Sequence, residues 1–509
     1  MRLTPPELQQ IHFGTGPRGY EPITHHDAKP DTYVQEEEDY RAALSSECPL
    51  HKWPQHSYRA FCPRPILVNK RHQRQLSELH EALAAAITDI VGRWWTDDAA
   101  GFPKRMPLQK EEEDFLQWLE SQVSRGDRPP YSACQGAWRP DFMVEEDKNS
   151  CDDEATEKFR ITEINARFSF NALFHVAYGQ RALEKMGIRT NGLSGAIDAG
   201  KFLEGAFSLT KPDIPLHILK GEEAGLDIHL FLDAAQHHRG SATRLIRPSD
   251  LRLVPDPQNE GEYRLCCLVE KSGDANGSQA SSIFTTCNGE LVEEIQQVGL
   301  ELYQQELLSL EPEMLRQISL RCFNDMRSIF LVHDKRILGI VKQELQPLVA
   351  RGVLTPIQAQ ILDEGIVDTI LPGSQELDQL LQLSRASPKL KDNYIIKAVR
   401  DGKGAGIVFG EDLTEDEWVS ALGQLRSPEL TAGTNSIVQR RIIPRLYDVI
   451  LSTSGERLRY PLVGTYHSIH GRLLGLGIWR STNDRVCATT NRNSCICSVV
   501  DVNAAEARN

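Results

Sequence analysis

The sequence predicts a mixed α/β (α+β) protein of two to four folding units, and three observations carry the prediction. The chain has 509 residues, well beyond one domain at about 100–200 residues each. Between Leu67 and Trp95, Leu76, Leu79, Leu83, Ile87 and Ile90 recur at three- and four-residue steps, the period of a buried helix face. From Asn393 onward the texture changes to short β-branched or alternating runs between glycine turns, which reads as strands.

Composition narrows the class. Hydrophobic residues make up 40% and charged residues 25%, as in ordinary soluble proteins. Acidic residues number 71 against 57 basic, a net charge of −14. Such a chain is no general binder of nucleic-acid backbones, which requires excess Lys and Arg. A local basic cleft for a small anion stays open. No uncharged apolar run approaches the roughly 18 residues of a membrane span. Met1–Pro6 lacks the apolar stretch of a secretory signal, so a cytoplasmic location is expected. Eleven cysteines are scattered without C-x-x-C spacing, which predicts reduced thiols and no zinc site.

In chain order, residues 1–60 are rich in Pro, His and acids, including Glu36-Glu37-Glu38-Asp39, and predict an irregular arm. Leu67–Trp95 is a helix. Glu111–Val123 is a second, with acids in its first turn to suit the helix dipole. Arg139–Phe142 and Phe159–Ile164 are short strands, and Glu145–Lys158 between them is a polar loop. Ile228–Leu232, Ala235–His238 and Thr243–Ile246 read as strand, short helix and strand. Leu291–Leu308 reads as a helix and Ser328–His333 as a buried strand. Lys335–Leu348 and Thr355–Asp363 are helices, and Pro372-Gly373 is a turn. Strands are expected at Tyr394–Val399, Gly406–Phe409, Ser436–Arg441, Leu462–Ile469 and Leu473–Arg480, with one helix at Asp416–Gln424.

Five constellations could carry chemistry. The first is Tyr394–Gly410, a strand ending in Lys397 that enters a loop with Gly402, Gly404 and Gly406. Glycines let backbone N–H groups approach phosphate oxygens. Lys397 and Lys403 can supply point charges, and Asp401 can hold a metal bridging the phosphates. A plain β-hairpin with a flexible tip is the alternative. Neither a Walker A nor a Rossmann pattern is present. The second is Phe159–Phe170, where Glu163 and Asn165 share one strand face. A carboxylate beside an amide oxygen suits Mg²⁺ rather than zinc. The alternative is a solvated edge strand. The third is His333-Asp334-Lys335-Arg336, where Lys335 is either a second phosphate lysine or part of a solvated first turn. The fourth, Ile437–Pro444, can present its backbone to an adenine edge or be an ordinary core strand. The fifth is a hairpin ending in Arg480, which could clamp a carboxylate bidentately or simply face water.

Taken in order, these segments resemble the ATP-grasp superfamily in its circularly permuted form, the eukaryotic-type glutathione synthetase arrangement. The family's R-S-D-Y-M and E-I-N look like Arg139-Pro140-Asp141-Phe142-Met143 and Glu163-Ile164-Asn165. Its G-T-K-K resembles His333-Asp334-Lys335-Arg336, its Gly-rich loop resembles Ile396–Gly404, and its late L-L-R-T-K resembles Ile478–Thr482. The likeness covers residues 60–490 as islands. It implies a first core part with the Mg-binding strand over residues 61–210, an α/β substrate domain over 211–325, and a nucleotide-binding part over 326–509. It implies that Lys335 and Lys397 hold ATP phosphates beside the loop of Gly402, Lys403, Gly404 and Gly406. Glu163, Asn165 and Asp401 would hold Mg²⁺, and Gln439, Arg440, Arg441 and Ile442 would line the adenine pocket. Arg139, Arg167, Phe168, Ser169, Phe170 and Arg480 would meet the acid substrate, with Arg480 and Lys397 catalytic.

This chain departs from the family pattern at Asp401, Leu462 and Thr482, and over Thr489–Ser498. The expected activity is therefore ATP-dependent joining of a carboxylate to an amine other than those of glutathione synthesis, in secondary metabolism. A degenerate nucleotide-binding relative and a small-molecule kinase are the competing readings. The partners expected are small molecules, with no nucleic acid and no membrane, and a homodimer is an oligomeric state to be tested.

Overall fold

The computed structural model describes residues 7–26, 28–145, 157–225, 227–238, 243–259, 261–269, 283–402, 404–430, 436–487 and 494–503. Its spine is a nine-stranded sheet. The strand order is Tyr20–Pro22, Gln9–Phe13, Phe61–Leu67, Ser494–Asp501, Arg472–Ser481, Val463–Ile469, Ala137–Glu145 and Lys158–Asn165, with Leu193–Gly195 paired to Ser494–Asp501. All neighbours in that order are antiparallel except Phe61–Leu67 and Ser494–Asp501, which run parallel. The helix Lys70–Gly92 buries Leu76, Leu79, Leu83, Ile87 and Ile90, the face its periodicity predicts. Asn69 caps it by accepting from the amides of Arg71 and His72.

A second, smaller sheet stands apart, in the order Thr369–Ile370, Ser436–Arg440, Tyr394–Ala398 and Val408–Phe409. The helices Gln375–Ala386 and Glu415–Gln424 cover it around a core of its own, with Trp418, Leu377, Leu422 and Val438 at the centre. A core this small leans on each large member, and deleting a buried Trp typically costs about 3–5 kcal/mol. The cavity described below lies between this unit and the large sheet. A third region holds a parallel sheet, Gln297–Glu301, Leu216–Lys220 and Thr243–Ile246, and a four-stranded antiparallel sheet.

Four expectations are corrected. Residues 7–60 are no irregular arm: Gln9–Phe13 joins the main sheet and Pro30–Glu47 is a helix. The acids of that helix are not simply solvated, since buried Arg64 pairs with Glu36 at 2.9 Å and Glu37 at 3.4 Å. Ile228–Leu232 is not a strand, because Ile228–His238 forms one helix. Leu291–Leu308 is two strands, Leu291–Glu294 and Gln297–Glu301, followed by the short helix Gln304–Leu308. Pairing of Gln297–Glu301 with Leu216–Lys220, far away in sequence, overrides local helical spacing. Ser328–Val332 is buried as expected but is one π-helical turn rather than a strand. A short apolar run does not distinguish these by period. Most of the loop expected at Glu145–Lys158 lies outside the described residues, as does Lys403.

Candidate active site

Neighbouring strands of the large sheet build one wall. In the antiparallel register Arg139 faces Asn165 and Asp141 faces Glu163. All four side chains line one cavity of about 820 Å³. Arg480 arrives from the Arg472–Ser481 strand and lines it too. Asp141 is the hub. It accepts from Arg139 Nε at 3.0 Å, Arg480 Nη2 at 2.5 Å and Asn165 Nδ2 at 3.2 Å. The bond from Asn165 Nδ2 leaves the amide oxygen as the acceptor for a ligand. Sequence reading quoted Asp141 within a motif but assigned it no role, because its role depends on strands about 340 residues apart.

The other wall supplies Lys397, while Lys335 is buried outside the lining and reaches two residues that belong to it, Asp401 and Glu163. Lys397 lies on the Tyr394–Ala398 strand of the small sheet and lines the cavity. Lys335 precedes the Arg336–Ala350 helix. Its ammonium donates to the Asp401 carbonyl at 2.7 Å and lies 3.4 Å from the Glu163 carboxylate. One ammonium therefore bridges the Gly-rich loop to the carboxylate strand. Burial alone would push the Glu163 carboxyl up, but Lys335, Lys397, Arg480 and Arg139 together hold it at about 2. Burial pulls Lys397 down to about 8, against the pull of Glu163. Glu163 is thus an anion at neutral pH, and Lys397 is a cation poised close to its titration.

Asp401, Gly402 and Gly404 line the cavity. Gly404 and Gly406 adopt φ of +77° and +70°, the left-handed region that makes glycine necessary at these turns. Gly406 lies beyond the lining. Glu163, Asn165 and Asp401 offer only hard oxygens to this space, and the donor set fits Mg²⁺.

Gln439, Arg440, Arg441 and Ile442 all line the cavity, but three of their side chains have other duties. Gln439 Nε2 donates to the Thr162 carbonyl at 3.1 Å and Thr369 Oγ1 at 3.0 Å, strapping the small sheet to the large one. Arg440 pairs with Glu145 and Asp368, and Arg441 with Glu411. Of these four residues, the backbone and the Ile442 side chain are what is left to face a ligand. Arg485, not anticipated, lies 3.5 Å above the Phe409 ring and pairs with Asp412 at 2.6 Å and with Glu411. It ties the chain after Arg480 to the rim of the small sheet.

Of the turn assigned to the acid substrate, Arg167 and Phe168 line the cavity. Arg167 stacks over Phe168 at 4.8 Å and over Tyr303 at 5.7 Å. Ser169 and Phe170 do not line it. Ser169 is fully buried, its hydroxyl donating to the Leu300 carbonyl, and Phe170 stacks on Phe231 at 4.4 Å in the core. These two position the turn rather than meet a ligand. Leu462 is core, and Thr482 lines the cavity. Of the segment Thr489–Ser498 that departs from the family, residues 489–493 lie outside the described residues, and the rest begins Ser494–Asp501, an interior strand of the large sheet.

Comparison with known proteins bears on the family and the fold. The family described as the AnkG N-terminal domain matches residues 79–331. A relative from Aspergillus thermomutatus, described as the ATP-grasp enzyme ankG, is 34% identical over 483 residues, covering 94% of this chain and 97% of the relative. The apo structure of a glutathione synthetase-like effector (GSS30) from Globodera pallida is similar with a TM-score of 0.51 at 11% identity, covering 93% of this chain and 98% of that one. At that identity the likeness concerns the fold. The mixed sheets and the cleft between them are those of an ATP-grasp fold. The chain belongs to the family of the ATP-grasp enzyme ankG. No helix among the described residues is long and apolar enough to cross a membrane.

Proposed function

We propose that the protein is an ATP-dependent carboxylate–amine ligase that forms an amide through an acyl phosphate, in secondary metabolism. The observation that carries this reading is Lys335, whose ammonium reaches both the Asp401 carbonyl and Glu163 beside Lys397 and the Arg139–Asp141–Arg480 cluster. A cation between a Gly-rich loop and a carboxylate strand suits a polyphosphate, and paired arginines suit a carboxylate.

Lys335, Lys397 and the backbone of Asp401, Gly402 and Gly404 receive the triphosphate, and Ile442 with its neighbouring backbone receives the base. Glu163, Asn165 and Asp401 would hold Mg²⁺, which supplies charge neutralisation between phosphate oxygens. Arg139 and Arg480, fixed by Asp141, orient the substrate carboxylate. Its oxygen attacks the γ-phosphorus, the bond to the β-phosphate oxygen breaks, and ADP leaves. The amine nitrogen then attacks the acyl carbon, phosphate departs and the amine loses its proton. Lysine charges stabilise the transferring phosphoryl group, so positioning and electrostatics do most of the work. Arg485 on Phe409, with Glu411 and Asp412, holds the rim closed and keeps water from the acyl phosphate.

Incubation with Mg-ATP and pooled carboxylic acids and amines, followed by mass spectrometry, tests the reading. ADP with a new amide supports it. Nucleotide binding without turnover supports the degenerate alternative, and a stable phosphorylated product supports a kinase.

A further inference from the structure

One stretch of the cavity wall is acidic. Glu223, Asp227 and Glu301 all line it, and all are at least nine-tenths buried. Two of the three are engaged. Asp227 accepts from the amides of Phe174 and His175 and from His175 Nδ1 at 2.7 Å. Glu223 takes the Tyr303 hydroxyl. Glu301 differs. Its Oε1 accepts from the Ser169 amide at 3.1 Å, whereas Oε2 meets no donor among the described residues. The residue is 4% exposed, lines the cavity and forms no ion pair among the described residues.

We propose, building on the ligase reading, that this stretch grips a positively charged group, ammonium or guanidinium, carried by the substrate. A carboxyl oxygen buried at a cavity wall without a hydrogen-bond partner is a polar atom left unpaired. Two neighbouring carboxylates add negative potential but no hydrogen. The cations nearby do not close the gap: Arg167 lies flat on Phe168 and Tyr303, and Lys220 Nζ donates to the Gly221 carbonyl. Burial and the charges of Asp227 and Glu223, opposed by Ser169 N–H and by Lys220, push the Glu301 carboxyl up to about 8. An arriving cation fills the missing contact and favours the ionised form, so binding releases a proton. Arg167 feels Glu223 and Glu301 as well as Asp401, so the acidic stretch and the Gly-rich loop both bear on it. The substrate class is therefore a zwitterion, with a carboxylate at the arginine pair and a cation at Glu301.

Titration calorimetry on the full chain, with ADP and Mg²⁺ present, tests this. The probes are Nα-acetyl-L-arginine and Nα-acetyl-L-lysine, whose only cation is the side chain, against Nα-acetylcitrulline and Nα-acetylnorleucine, which carry no cation. The cationic probes should bind at least about tenfold more tightly, with a heat that depends on buffer ionisation. The arginine and lysine arms separate guanidinium from ammonium preference. Glu301→Gln keeps the shape and should remove that preference and the proton release, and Glu223→Gln should weaken it. Equal binding of charged and uncharged probes, or no binding of either cation at millimolar concentration, overturns the proposal. Affinity for ADP, measured separately, should be unchanged in Glu301→Gln. Loss of ADP binding by the wild-type protein would instead count against the ligase reading.

Discussion

Under the proposed ligase reading, Lys397 is the residue on which ATP chemistry depends most. Lys397→Ala should fold normally, since its neighbours Ile396 and Val438 carry the packing. A lost charge-assisted contact costs about 1.5–3 kcal/mol in binding, so nucleotide affinity should fall by roughly ten- to a hundredfold and turnover should cease. A well-folded Lys397→Ala protein with normal turnover would remove it from the site. Asp141 acts through others. Asp141→Asn leaves Arg139 and Arg480 without their shared anchor, and misplacement by about 1 Å costs on the order of 100-fold. That loss should appear in kinetics with the acid substrate while nucleotide affinity holds. Arg480→Lys keeps the charge beside Asp141 but not the planar fork, and should lose ligation in the same selective way. Glu301 makes a prediction about stability. Its carboxyl titrates near 8 in the folded protein against about 4.5 ordinarily. The folded state therefore binds more protons, and stability falls as pH rises through this window. Glu301→Gln should match wild type near pH 5 and exceed it by about 1–3 °C in Tm near pH 9. An equal difference at both pH values would show that Glu301 is not protonated as described. A place in the cavity wall was legible where two residues share one strand face, as with Glu163 and Asn165. Asp141, Glu301 and Arg485 were not, because each gains meaning from a partner remote in sequence.

At the scale of elements, periodic helices and alternating strands could be read directly. The Lys70–Gly92 helix and the Tyr394–Ala398 and Val463–Ile469 strands stand where pattern put them. Failures fell where pairing with a distant strand outweighs local spacing, as at Gln297–Glu301, or where a short apolar run fits several structures, as at Ser328–Val332. The Gln439 strap and the Arg485 latch join the small sheet to the rest of the molecule from two sides. Arg485→Ala frees the rim without touching Lys397 or Glu163. It should raise the ratio of ADP released to amide formed by about tenfold, because water reaches the intermediate. An unchanged ratio would show that the rim is closed by other contacts.

For the whole molecule, net charge and composition placed the chain in a class, and the order of short motifs suggested its fold. The N-terminal region shows the limit of composition: residues poor in apolar character form part of the main sheet because Arg64 and the Phe61–Leu67 strand receive them. The cleft between the two sheets is the outcome of all these placements, and the reaction proposed for it runs through an acyl phosphate made from ATP. Hydroxylamine trapping tests this most directly. With Mg-ATP, pooled carboxylic acids and hydroxylamine, the wild-type protein should release ADP and form an acyl hydroxamate in equal amounts, and Lys397→Ala should form neither. ADP released without hydroxamate, or AMP formed in place of ADP, would contradict the account.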